Sequence, residues 1–224
     1  LRRGCRDYLA GLGVDRAMFN RAFAHAIAAQ ADYKAAARRI GAEILAGART
    51  EGRQVVVLAG RPYHLDPMIN HRIPDLLAGM GVDVLTEDGV PLETGQRLDD
   101  RHVLTQWEYV NRYYHAARWV GGQPDVELVQ LNSFGCGPDA VAVDEVAGIL
   151  REHGKNHTLI RIDEIDSIGS AKLRLRSLLE ALAERDRRAG RRPVVRRTTR
   201  LFQPSDRRKT IIVPEFSSFC SPPI

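Results

Sequence analysis

Cysteine is scarce: there are three in 224 residues, at positions 5, 136 and 220. So few argue against a disulfide framework and point to a reducing, cytoplasmic setting. Long apolar runs are absent too. The cleanest, Val55–Ala59, has five residues, against the roughly 20 that a bilayer-spanning helix needs, so a membrane partner is not expected. The opening Leu1-Arg2-Arg3-Gly4-Cys5 has neither an initiator Met nor an apolar signal segment and reads as the start of a piece cut from a longer chain. No G-x-x-x-x-G-K-[ST] string occurs, which removes a P-loop nucleotide site. No C-x-x-C pair or ordered Cys/His spacing occurs, which argues against a self-contained zinc site.

What is present is ordinary for a globular protein: 44% apolar and 27% charged residues. The length suits one domain plus extra segments, at about 150 residues per domain. The net charge is +5, but eight arginines and one aspartate between Arg185 and Arg200 account for more than all of it. The rest of the chain is slightly acidic. A solvated arginine tract is the plain reading, and an anionic partner the sharper one. No aromatic side chain interleaves with these arginines, so a base-stacking platform has no support and nucleic acid is not the expected partner.

The first 50 or so residues are Ala-rich, with Phe19, Phe23, Ile27, Tyr33, Ile40 and Ile44 at helical spacing, which predicts one long or two short helices over 16–49. Strand and helix patterns then alternate. Strands are predicted at Gln54–Ala59, Val82–Leu85, Val126–Leu131 and Thr158–Ile162, with a possible fifth at Thr210–Val213. Helices are predicted from Ile69 to Met80, through Trp107–Ala117, from Pro138 to about Glu152, and from Ser170 to about Arg188. This order predicts an α/β fold, a parallel sheet of four or five strands with helices on both faces. It divides into an N-terminal helical segment (1–52), the α/β domain (53–184), a basic tract read as disordered (185–208) and a C-terminal extension (209–224).

Right-handed crossovers put the carboxyl ends of all strands on one rim, where ligands of open α/β sheets bind. The polar segments Gly60–Asp66, Glu87-Asp88, Asn132–Gly137 and Asp163-Glu164 all follow strands. Cys136 stands between two glycines just before a predicted helix, a position that favours the thiolate and so an electrophile or a metal. A small buried cysteine beside a tight turn is the alternative. Arg61 and His64, with His71 nearby, can grip a phosphate or carboxylate, or else tie the loop to backbone carbonyls. Trp107, Tyr109, Tyr113, Tyr114 and Trp119 suit core packing and an inter-domain face better than a ligand box. Gly135–Ala140 fits the loose G-x-G-x-x-A dinucleotide pattern, but it follows a third strand rather than a first, which weakens that reading.

The strings Val57–His64, Asn70-His71, Leu85–Asp88, Gln130–Ala140 and Ile162–Glu164, and the run Lys172–Leu182, resemble one family. It is that of the 2-hydroxyacyl-CoA dehydratase-like proteins, in particular the large chains fused to a CoA-substrate-specific enzyme activase and related to 2-hydroxyglutaryl-CoA dehydratase. The resemblance implies a flavodoxin-like domain, one of two in a dehydratase-type subunit. It implies a [4Fe-4S] cluster between those domains, with Cys136 as the ligand from this one and the other ligands from an upstream dehydratase-like domain. The cluster is then expected in the full-length protein and not in this piece. An ATP-dependent activase is the implied electron donor and an acyl-CoA the implied substrate. The parent would be a lyase or an ATP-dependent reductase, inactive as this piece alone. The stretch Gly169-Ser170-Ala171-Lys172-Leu173-Arg174 departs from the Gly-Gln-x-x-Thr-Arg pattern of the dehydratase members. Two other classes stay open: a non-redox module binding a CoA or nucleotide phosphate near Arg61 and Pro138, and a scaffold that docks a partner.

Overall fold

The computed structural model describes residues 1–91, 98, 107–133, 137–162 and 168–187. The expectations for Cys136, Asp163, Glu164, the basic tract beyond Arg187, the strand at Thr210–Val213 and the C-terminal extension lie outside these residues. Six helices and four strands are found among them: α1 Arg2–Gly11, α2 Arg16–Glu51, β1 Val55–Ala59, α3 Ile73–Ala78, β2 Asp83–Thr86, α4 Glu108–Gly121, β3 Val126–Asn132, α5 Gly137–Glu152, β4 Thr158–Arg161 and α6 Ile168–Arg187. Short 3-10 turns occupy Pro62–Leu65 and Glu87–Gly89.

The sheet is parallel throughout, in the order β2-β1-β3-β4. This is the doubly wound, flavodoxin-like order, in which the chain winds one way from β1 to β2 and the other way from β1 to β3 and β4, so the switch point lies between β1 and β3. β1 lies inside the sheet, and its five residues are all buried. A strand buried on both faces has no room for polar alternation, which is why Val55–Ala59 is a continuous apolar run. Val55, Val57 and Ala59 meet Leu45 and Ala48 of α2 together with α4 and α5. Val56 and Leu58 belong to the opposite core, with Ile73 and Leu77 of α3 and Leu175 and Leu178 of α6.

α2 is one helix of 36 residues, about 54 Å long at 1.5 Å per residue. Asp15 caps it, its Oδ1 accepting from the Met18 N–H at 2.8 Å. Phe19 is buried near its start, and otherwise only its last turns carry buried residues. From Asn20 to Ala36 almost every residue is exposed, and Ile27 and Tyr33 are exposed large hydrophobics.

The helix predicted from Ile69 is shorter than expected and begins at Ile73. His71 and Arg72 hold left-handed backbone, with φ of 51° and 58°, and a helix cannot run through that conformation. Arg185, the first residue of the basic tract, closes α6. Its Nη1 donates to the buried Glu127 at 2.6 Å, and Lys155 Nζ donates to the same oxygen at 3.0 Å. This locks the amino-terminal end of the sheet. No described helix is long and apolar enough to cross a membrane.

α2 crosses the Glu87–Gly89 turn at two glycines whose geometry is unequal. A Cβ on Gly41 would run into the carbonyl group of Gly89, whereas a Cβ on Gly89 would meet nothing closer than 3.5 Å. Gly41→Ala should therefore destabilise the fold by about 1–3 kcal/mol and Gly89→Ala by less than about 0.5 kcal/mol. Urea unfolding of both variants with unchanged slope checks the pair, and equal losses would refute the asymmetry.

Candidate functional site

The carboxyl ends of β1, β2 and β3 carry a set of buried polar groups on the rim that the sequence marked out. Gly60, straight after β1, lies between two of them. Its N–H donates to Glu87 Oε1 at 3.0 Å, and a Cβ here would meet His64 Nδ1 at 2.7 Å. Only glycine lets the imidazole lie this close to the chain. Glu87 comes from the end of β2 and is 5% exposed.

His64 is buried, and both ring nitrogens are bonded. Nδ1 accepts from the Arg61 backbone N–H at 3.0 Å, so the neutral ring carries its proton on Nε2. That N–H donates to Ser133 Oγ at 2.8 Å. The same hydroxyl oxygen accepts from Tyr63 OH at 3.4 Å. A Ser-His pair in this tautomer is no nucleophile-base pair, because the nitrogen facing the hydroxyl already holds a proton. Instead the ring fastens the loop after β1 to the end of β3.

Arg61 reaches the start of α5. Its Nη2 and Nε donate to Asp139 Oδ1 at 2.9 and 3.3 Å, and Asp139 is buried. His71 points elsewhere. Its Nε2–H donates to the Ile162 carbonyl, just past β4, at 3.0 Å. Asn70 braces the loop between them, donating to the His64 carbonyl and accepting from the Arg72 N–H, both at 2.9 Å. Arg61 and His64 thus meet at one place, the β1–β3 switch point, while His71 ties the same loop to β4. All three shape the wall of the site rather than present a bare cation to it.

Burial pushes the Glu87 carboxyl up to about 8, against the opposing pull of Arg112 and the Gly60 N–H. At neutral pH it is a neutral acid, able to donate as well as accept. Tyr113 of α4, also buried, has its hydroxyl pushed well above its ordinary value by burial first and then by Glu87 and Asp139. Ser133, Asp139 and Asn70 lay within the rim segments and family-like strings but were given no role of their own, and Arg112 was not singled out by the sequence. Asn70 had a signal, lying beside His71 in a family-like string. Arg112 had none, since nothing local separates it from other helix-surface arginines.

The Glu87 carboxyl implies a pH dependence of stability. Between about 4.5 and about 8 the folded chain holds a proton that the unfolded chain has released. Stability from this group therefore falls as pH rises through that window and levels off above it. Glu87→Gln should remove this slope, measured as the difference between wild-type and variant denaturation midpoints across the range. Parallel profiles would mean that the carboxyl is ionised in the fold.

Among the described residues no group of three or more His, Cys, Asp or Glu side chains could hold a metal ion. Comparison with known proteins gives one family. No curated protein and no solved structure matches the chain. Residues 2–90, from α1 to the turn after β2, match the family model described as CoA enzyme activase uncharacterised domain (DUF2229). The matched stretch holds Gly60, Arg61, His64, His71 and Glu87, and through it the chain is related to a CoA-enzyme-activase-associated family.

Proposed function

We propose that this chain is an α/β module of an activase-driven, 2-hydroxyacyl-CoA dehydratase-like enzyme, and that its rim forms one wall of the substrate site. The observation that carries the reading is the convergence of the family-matched loop, Gly60–His64, on Ser133 and Asp139 at the β1–β3 switch point. Cys136 belongs in sequence to the connection between these two residues, immediately before the first residue of α5.

A [4Fe-4S] cluster takes about four ligands, largely cysteine. The described residues do not fit such a group: their free cysteine is Cys5, on α1, and no ligand cluster surrounds it. The proposal therefore gives this chain a single thiolate, Cys136, with the remaining ligands from an upstream dehydratase-like domain. No step of the reaction follows from the residues of this chain alone.

What they can do is bind and orient. The charge of Arg61 is answered by Asp139, and Glu87 is neutral. Ser133 accepts from His64 and Tyr63, which leaves its own O–H to donate. A rim of neutral donors suits a polar uncharged group, such as a thioester carbonyl or a hydroxyl, better than a bare phosphate.

The test is iron content per chain, after oxygen-free purification of the full-length protein with its activase partner. Cys136→Ala should lower iron at least about twofold relative to wild type, with unchanged circular dichroism. Equal iron in both proteins would reject ligation by Cys136.

A further inference from the structure

A second polar cleft lies on the β2 side of the rim, between α2, the Glu87–Gly89 turn and the start of α4. Lys34, Arg38, Glu87, Asp88, Glu108 and Arg112 line it, around a volume of about 70 Å³. We propose that this cleft binds a small oxyanion of the phosphate class, gripped by Lys34, Arg38 and Arg112. The proposal goes beyond the reading above and does not depend on the cluster or on Cys136.

Lys34 and Arg38 stand one turn apart on α2, and neither makes a hydrogen bond or ion pair among the described residues. Like charges at this spacing repel, and an anion between them relieves the repulsion. Arg112 faces them from α4. Its Nη2 is held by Asp88 Oδ1 at 2.8 Å and lies 3.4 Å from Glu87 Oε2. Its Nε and Nη1 donors make no bond among the described residues, so a fixed guanidinium keeps donors to spare.

The carboxylates lining the cleft do not cancel these cations. Asp88 is engaged by Arg112 and accepts from Tyr33 OH at 3.4 Å. Glu87 is a neutral acid below about 8 and presents a donor rather than a repelling charge. Glu108, in the first turn of α4, is exposed to solvent. Three cations therefore share the cleft with Asp88 and Glu108. A volume of this size holds about two waters or one tetrahedral oxyanion. Glu87 is surrounded by Arg112 and Tyr113 from α4, Asp88 beside it and the Gly60 N–H, and Lys34 and Arg38 share its cleft from α2.

Calorimetric titration of the 224-residue chain with inorganic phosphate tests the site. Saturable binding is expected at about pH 7, and Lys34→Ala/Arg38→Ala should weaken it at least about tenfold. Lys34 is exposed and Arg38 half-buried, and neither belongs to the hydrophobic core. Arg151→Ala/Arg176→Ala, which removes equal charge from α5 and α6, should leave it unchanged. Sulfate, whose charge is constant over the range, should bind more weakly at about pH 9 than at about pH 7, and Glu87→Gln should abolish that difference. No saturation by about 10 mM phosphate, or equal weakening in the two double variants, would overturn the proposal. Sulfate binding independent of pH in the wild type would remove Glu87 from the site.

Discussion

The structure depends on burying β1 from both sides. A five-residue strand with no exposed face leaves two apolar surfaces to cover, and a single layer of helices cannot cover both. The chain meets that demand by alternation: α3 and α6 on one face, α4, α5 and the end of α2 on the other. Parallel pairing follows, because each helical crossover returns the chain to the same end of the sheet. One rim then carries the carboxyl ends of all four strands. The site is a consequence of that packing rather than a separate feature.

The two ends of the sheet use charge differently. At the amino-terminal end, Glu127 is buried beside Lys155 and Arg185, an arrangement in which removal of Glu127 leaves two cations without their counter-charge. Such a lock suits a part of the fold that stays fixed. At the carboxyl-terminal rim, Glu87 is buried with less compensation and keeps its proton. Around His64 and Ser133 the rim is left rich in donors, with the charge of Arg61 answered by Asp139, while the cations of the rim gather on the β2 side.

The loop after β1, beyond its 3-10 turn at Pro62–Leu65, is tied down by side-chain hydrogen bonds. His64, Asn70 and His71 bond it to β3, to itself and to the residue after β4. Two consecutive left-handed residues are held in place by these bonds, and strain of this kind persists only where the surroundings over-determine it. The match of residues 2–90 to a CoA-enzyme-activase-associated family spans this loop and Glu87, so the geometry and the kinship concern the same residues.

The strands were legible in the sequence to within a residue or two: β1 and β3 because a strand buried on both faces is a continuous apolar run, the edge strands β2 and β4 because short apolar runs there are bounded by turn residues and alternate with helical patterns. So were α5, from Gly137-Pro138, and the rim itself, from the order of strands and helices. The start of α3 was not, because the backbone at His71 and Arg72 is set by bonds that these residues donate to Ile162 and Asn70. The roles of the site residues were equally hidden. Gly60 and Glu87 are 27 residues apart, His64 and Ser133 are 69 apart, and Arg61 and Asp139 are 78 apart. The sequence by itself determined the fold class and which end of the sheet would be polar, since both follow from short-range hydrophobic period. Only the tertiary structure decided that His64 is a donor, that Arg61 is neutralised and that Glu87 holds a proton. Tautomer, ion pairing and protonation are properties of the groups that folding brings together, and no stretch of the chain contains them.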